Sequence, residues 1–373
     1  RSISGATVWS QTDMAYVSEA EAIAAPFAAS VGASAQIRGD QFSAAAQRPE
    51  KERTITQQGE AFVWRVPNPA ADYDIFANPI RADRFSSLGF SRTDQLSYHH
   101  STSLWVLSQL ESVRELSTGL VEQQTDYDAS ARPIRRWSFG RVVETFGYPP
   151  DGSLQTATDA NGNGVTLSGW FRGVPQTIAF SDGRTRAALV DAWGRITRTT
   201  DELGFTHNYQ YDAMGRLTRI DYPTGWTPTT FSFAPAALAE AGLPAGHWRQ
   251  TETTGNFKKT TWFDARFRPV LTLEEDTGIA SSKRHTRRCF DHEGRETFAS
   301  YPLAGAGTVG CTGDGVRSVY DALGRVSSTS QSSEQGSLVT STAYLPGFQT
   351  RTTDPNGNAT TAQFQAFDSP DTG

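Results

Sequence analysis

The sequence predicts an all-β protein built from one strand-turn-strand unit used many times. Three observations predict it. The stretch "YQYDAMGRL" at 209–217 is nearly spelled again as "SVYDALGRV" at 318–326. Asp-x-x-Gly occurs as Asp159 with Gly162, Asp191 with Gly194, Asp201 with Gly204, Asp212 with Gly215, Asp291 with Gly294, Asp321 with Gly324 and Asp354 with Gly357, where composition alone would yield roughly two matches. Most of the chain from residue 120 onward consists of short runs of strand-forming residues broken by Gly, Pro, Asn and Asp.

The unit itself is readable as chemistry. Asp at the first position of a type I turn accepts hydrogen bonds from the backbone two residues on, and Gly at the fourth tolerates positive φ as the chain reverses. Arg195, Arg216, Arg295 and Arg325 follow the Gly directly, and worn copies stand at "YDASARP" (Tyr127, Asp128) and "FDARFRP" (Phe263, Asp264). Before the turn at Asp212, Phe205, His207, Tyr209 and Tyr211 alternate at period two, as on one face of a strand. An aromatic precedes the Asp at Tyr127, Tyr211, Phe263, Phe290 and Tyr320. Such rings are placed to stack on, or bond to, the Arg of a neighbouring unit. The irregular spacing of the copies implies variable loops on a fixed local unit.

Composition narrows the partners. Hydrophobic residues make up 37% of 373 residues and mean hydropathy is negative, which is lean for one thick core and fits a thin β-layer with water on both faces. A net charge of -6 with no basic block beyond "RHTRR" at 284–288 leaves no electrostatic footprint for nucleic acid. No apolar run approaches the roughly 18 residues of a membrane span. The chain opens on Arg1 instead of Met and is expected to be a piece of a longer protein. Cys289 and Cys311 are too few for a disulfide scaffold; free thiols are the expectation, with a single bridge as the alternative.

Other segments add detail. "PPDGS" at 149–153, "SDGR" at 181–184 and "TTGNF" at 253–257 read as hairpin turns. In "APAALAEAG", 234–242, Pro235 near the start and Gly242 at the end predict two turns of helix in an insertion. Near the N-terminus Ser18 and Glu21 have capping-box spacing, but Pro26 interrupts the run, and no stable helix is assigned there. Residues 1–55 are treated as an N-terminal segment, with joining of the array left open, and 56–373 as the repeat array. Over 104–116 Leu104, Leu107, Leu110, Val113 and Leu116 recur every three residues, which favours a helix by periodicity alone.

"YDAMGRL" and "YDALGRV" resemble in full the unit of the RHS/YD-repeat family, Tyr-Asp-x-x-Gly-Arg followed by an aliphatic residue. "VDAWGRI" lacks the aromatic, and "FDHEGRE" has Phe first and Glu last. The stretches "FSRTDQLSYHHSTSLWVLSQLESV" and "GLPAGHWRQTETTGNFKKTTWFDARFRPVLT" are also similar to bacterial RHS proteins, so the resemblance runs from about residue 50 to 373. It implies a spiralling β-sheet that forms part of a hollow shell, with 104–116 as strand. It also implies a toxin domain of the parent chain as enclosed cargo, an immunity protein, a secretion-system spike as carrier and export from a bacterial cell. The family's Asp-Pro-x-Gly shell terminus is matched by Asp354-Pro355-x-Gly357, but "TDANGNGVT" at 158–166 parallels that stretch and makes it another repeat turn. The expectation is therefore a wall segment that stops before the shell terminus and the toxin, with no catalytic, cofactor or metal site. The alternative is an extracellular YD-repeat module that binds carbohydrate or a cell surface.

Several stretches imitate active sites. Asp159, Asn161, Asn163 and Gly164 occupy the first, third, fifth and sixth positions of a calcium loop, but Trp170 stands where Glu is needed; after Asp354 the sixth and twelfth positions are Ala359 and Gln365. Both are read as Asx-type turns. His99 and His100 are adjacent, so strand alternation sends their rings to opposite faces. Glu274, Glu275 and Asp276 read as a solvated turn instead of a glycosidase pair. Trp248, Phe257, Trp262, Phe263 and Phe267 crowd one hairpin, as a local core or as an aromatic platform.

Overall fold

A computed structural model of the protein describes residues 2–4, 7–25 and 48–370. Among them are twenty-nine strands, one short α-helix and one 3-10 turn. The all-β prediction is what the structure shows, and every strand pairing recorded within the array is antiparallel. The chain divides into two units: residues 1–164 with 343–351 and 360–373, and residues 165–342 with 352–359.

In the first unit the strands from Ser2–Ser4 to Thr156–Asp159 pair each with the next in chain order. Val106–Glu115 is a strand bonded to Ser91–Ser101, as the resemblance implies and against the three-residue periodicity. The strand Glu50–Gln57 runs across the boundary expected at residue 55, so the N-terminal segment enters the array through its own pairing with Thr7–Tyr16.

The helix withheld near the N-terminus forms over Glu19–Ala24. Ser18 Oγ accepts from the Glu21 amide, and the Glu21 carboxylate accepts from the Ser18 amide at 2.7 Å and from Lys51 at 3.0 Å. Those bonds, led by the Ser18 amide, hold the Glu21 carboxyl down at about 2. Burial of Val17, Ala22 and Ala25 against Val66 and Tyr73 supplies what a six-residue helix lacks alone. Pro26 lies outside the described residues.

The second unit repeats the in-order meander from Thr177–Phe180 to Arg284–Phe290, and Gly315–Tyr320 pairs with Val326–Ser333. The strand Arg284–Phe290 shares one edge between two partners, Leu303–Ala304 beside its first half and Glu296–Ser300 beside its second. The excursion after Ser300 is tied back by a disulfide between Cys289 and Cys311, with Cα atoms 5.8 Å apart. The expectation of free thiols is corrected: the loop brings two residues 22 apart into bonding range, which spacing alone does not show.

The helix predicted over 234–242 is also corrected. The strand Thr229–Pro235 pairs through Pro235 with Trp248, and Ala236–Gly246 closes as a loop with a bridge between Glu240 and Leu243. Long-range bonds outweigh the local helix signals there. The Glu240 carboxylate accepts from Arg249 at 2.7 Å and from Trp262 Nε1 at 2.9 Å, and the Ala241 carbonyl accepts from the Val309 amide.

Among the described residues, buried side chains form small separate clusters instead of one core. Phe62, Phe348 and Ala366 make one in the first unit, and Trp262, Leu271 and Leu273 one in the second, packed by Ala241, Leu243 and Val309. The aromatic crowd divides accordingly. Trp262 is 8% exposed on one face, while Phe233, Trp248, Phe263 and Phe267 contact one another through their rings, and Phe257 is exposed.

Two stability outcomes follow. Truncating Trp262→Ala removes a buried indole and the Glu240 bond, and is expected to cost about 3–5 kcal/mol in urea unfolding; a loss below about 1 kcal/mol would show that Trp262 is not core. Reducing the disulfide frees a 22-residue separation, which chain entropy sets at about 3 kcal/mol, measurable as a lower denaturation midpoint of the Cys289→Ser, Cys311→Ser protein.

Candidate functional site

The recurring Asp turn is the element that appears in many copies, and its geometry is uniform. In the copies at Asp128, Asp159, Asp191, Asp201, Asp212, Asp264, Asp291, Asp321 and Asp354, Oδ1 accepts the main-chain N–H two and four residues on, at 2.8–3.0 Å. The Asp amide donates to the carbonyl four residues on, and the amide three residues on donates back to the Asp carbonyl. This is the three-residue hairpin loop, a type I turn followed by a left-handed residue that opens a bulge. The register shift beside Tyr211 marks that bulge.

The left-handed position explains the glycines and survives their loss. Gly162, Gly194, Gly204, Gly215, Gly294, Gly324 and Gly357 all stand in it, at φ from 80° to 93°, and each donates its amide to the carbonyl of its own turn Asp. A Cβ at Gly162, Gly204 or Gly357 would meet nothing within 4 Å, so backbone angle and not space selects the residue there. Where the sequence pattern makes Gly part of the unit, the structure differs: Ala131 and Phe267 occupy the same slot at φ 59°. Non-Gly residues there carry a steric cost, which the Asp bonds hold in place. The worn copies are therefore complete turns.

The fifth residue closes the unit sideways. Arg132, Arg195, Arg216, Arg268, Arg295 and Arg325 donate Nε to the Asp Oδ2 of their own turn at 2.7–2.8 Å. Each of the first five guanidiniums is thereby set to meet an aromatic further along the chain. Arg195 lies over Tyr211 with its carbon 5.1 Å from the ring centre, Arg268 over Phe290 at 4.6 Å and Arg295 over Tyr320 at 4.8 Å. Arg132 does the same with Tyr148 and Arg216 with Phe233. The tie runs both ways: Tyr211 Oη donates to the Ile196 carbonyl at 2.7 Å, Tyr320 Oη to the Glu296 carbonyl at 2.8 Å. Thus the Tyr before an Asp serves the preceding turn, while the Asp serves its own.

Asn replaces Arg in two copies, where Asn163 and Asn358 donate their side-chain amides to Asp159 and Asp354 at 3.0 and 2.9 Å. A further copy lacks the Gly of the pattern and is not announced by it. In "YDIFAN", Asp74 Oδ1 accepts from the Phe76 and Asn78 amides, Asn78 Nδ2 donates to Oδ2, and Ala77 takes the left-handed slot at φ 65°. The Tyr-Asp pair at 73–74 was the available signal, hidden by the missing Gly.

Electrostatics follow from these bonds. The Asp212 carboxyl is held below its ordinary range first by the Arg216 amide and then by its guanidinium; at Asp128 the Arg132 guanidinium leads. At Asp159 and Asp354 the neighbouring Asn side chains lead. At Asp191, Asp264 and Asp291 partial burial pushes upward, and the bonds from Arg195, Arg268 and Arg295 outweigh it.

The imitation sites dissolve in the same geometry. The Asp159 and Asp354 carboxylates accept from amides of their own turns, the geometry of an Asx-type turn. His100 bonds Asp74 at 2.8 Å while His99 stacks on Tyr127, so the pair is not brought together. Glu274 and Glu275 pair with Lys259 and Lys258, and Asp276 Oδ1 accepts from the Gly278 amide. Among the described residues no group of three or more His, Cys, Asp or Glu is placed to hold a metal, and no helix is long and apolar enough to cross a membrane.

Fold and site together define a repeat protein, an antiparallel β-array whose turns are locked by Asp and tied to their neighbours by Arg and an aromatic. Residues 190–227, which hold the Asp191 and Asp212 turns, match the RHS repeat family. It is 27% identical to teneurin-4 of Mus musculus over 139 residues, 31% of this chain and 5% of that protein. To teneurin-1 of Gallus gallus it is 24% identical over 180 residues, 42% of this chain and 6% of that protein. The chain thus spans about a twentieth of the length of these relatives. Among solved structures it is similar to the Photorhabdus luminescens Tc holotoxin pore at TM-score 0.47 and 12% identity, over 83% of this chain and 20% of that one. It is similar to TcdB2-TccC3 without its hypervariable C-terminal region at 0.43 and 15%, over 84% and 16%.

The depressed carboxyls fix a pH direction. A group whose folded pKa is lowered stabilises the fold above its unfolded value, about 3.9 for Asp, and that contribution fades as pH falls through the folded value. The melting temperature is expected to hold from pH 7 to about 4.5 and drop below that. Asp212→Asn should lower it at pH 7 and flatten the acid limb. A variant curve parallel to the parent's at every pH would refute the Asp212–Arg216 assignment.

Proposed function

We propose that this chain is a stretch of wall in an RHS shell that encloses a toxin domain of its own parent protein and helps to deliver it. The observation that carries this reading is the antiparallel pairing within each unit, almost throughout strand on next strand, with small scattered buried clusters among the described residues. Such a layer separates two spaces without needing a thick core, and the Asp, Gly and Arg of its turns are structural instead of catalytic. The Cys289–Cys311 bridge supports export, because disulfides persist in oxidising compartments. In this reading a secretion spike carries the assembly, and an immunity protein guards the producer.

The second reading is a binding module that displays its surface to carbohydrate or a cell. Large exposed rings, Trp193 and Trp226 among them, favour it. Limited proteolysis of the full-length parent protein separates the two. Under the wall reading, the segment that follows the repeats resists protease until mild denaturant opens the array. Immediate digestion of that segment, with the repeats left intact, would discard containment in favour of the binding module.

A further inference from the structure

The turn at Asp201 breaks the pattern of the others. Its fifth residue is Phe205, where six copies have Arg and three have Asn. Asp201 Oδ1 accepts from the Leu203 and Phe205 amides at 2.9 Å, but Oδ2 has no side-chain donor among the described residues. That carboxylate lines a groove of about 860 Å³ together with Glu252, Phe205, His207, Tyr222 and Trp226. The volume suits a small organic ligand.

Charge in the groove is one-sided. Among the described residues no Lys or Arg lines it. Glu252 faces Lys259 across the strand pair, but the Lys259 ammonium sits 3.6 Å from Glu274, and no cation among the described residues lies within ion-pair distance of Glu252. Two carboxylates without basic partners make a local negative potential. Beside them Trp226 is 75% exposed and Phe205 51% exposed, so both rings are accessible to a ligand. The floor is fixed: Tyr222 Oη lies 3.0 Å from Thr229 Oγ1, which lies 2.6 Å from Thr254 Oγ1, and His207 meets Tyr222 edge-on at 5.6 Å.

We propose that this groove binds a ligand that presents an organic cation, a quaternary ammonium or a guanidinium, placed between the Asp201 and Glu252 carboxylates and covered by the Trp226 ring. Ring faces attract cations through their quadrupole, and carboxylates add direct charge pairing. Elsewhere in the array an aromatic ring and an Asp share an Arg of the chain itself, as Tyr211 and Asp191 share Arg195. At Asp201 the two receptors remain and the internal cation is missing. The groove is that motif with its guanidinium place left to an outside group.

Isothermal titration of the whole chain with choline and with free arginine tests this, with 3,3-dimethyl-1-butanol as the uncharged isostere of choline. Saturable binding of at least one cation is expected, with none for the isostere; choline binding marks a quaternary ammonium and arginine binding a basic side chain. Trp226→Ala, on an exposed ring, should weaken binding by about tenfold or more with an unchanged melting temperature, and so should Glu252→Gln. Absence of binding of both cations at about 10 mM, equal binding of the isostere, or unchanged affinity in both variants would overturn the proposal.

Discussion

The array depends on one interaction, the carboxylate of a turn Asp that satisfies backbone amides with one oxygen and, in six copies, a guanidinium with the other. The first oxygen fixes the reversal of the chain. Main-chain amides exposed by a tight turn need acceptors, and Oδ1 supplies one for two of them at Asp212, where the Met214 and Arg216 amides converge. The second oxygen holds Arg216 at 2.7 Å and so aims its plane at the next ring, Phe233. Local turn geometry and strand-to-strand attachment thereby share one side chain. A β-layer with small buried clusters has little else to hold its hairpins in line.

Much of this was legible in the sequence because the turn is local. Asp, Gly and Arg at fixed offsets announce a reversal whatever surrounds them, and the aromatic before the Asp announces a strand. What stayed hidden was long-range. The partner of Arg195 is Tyr211 and that of Arg295 is Tyr320, and the separation varies with the hairpin between them. Copies at Asp74, Asp128 and Asp264 lack the Gly, so the pattern faded while the backbone did not. The Glu240 loop read as helix because its ties to Arg249 and Trp262 arrive from other strands. The same holds for the bridge between Cys289 and Cys311, which depends on where the excursion after Ser300 returns. The groove beside Asp201 is a third kind of case: the missing Arg is plain in "DELGF", but its meaning needs Glu252 and Trp226 beside it.

The short helix at Glu19–Ala24 makes the complementary point. Its capping box was visible, yet six residues do not hold a helix in water. Burial of Ala22 beside Tyr73 and the ion pair from Lys51 decide it. Where a local signal and a tertiary contact agree, as here, the element forms; where they disagree, as at 234–242, the contact prevails.

The shared edge of the strand Arg284–Phe290 has a consequence for how such a chain can change over generations. Two partners divide that edge, and residues 301–314 intervene without altering the pairing of Glu296–Ser300 with Gly315–Tyr320. Additions placed at the end of a strand are thus absorbed outside the hydrogen-bonded lattice, and the following strands keep their register. An architecture of this kind can lengthen its loops and acquire new surface chemistry by insertion, while selection on the framework acts chiefly on the Asp of each turn and, where turns are tied sideways, on the Arg and ring.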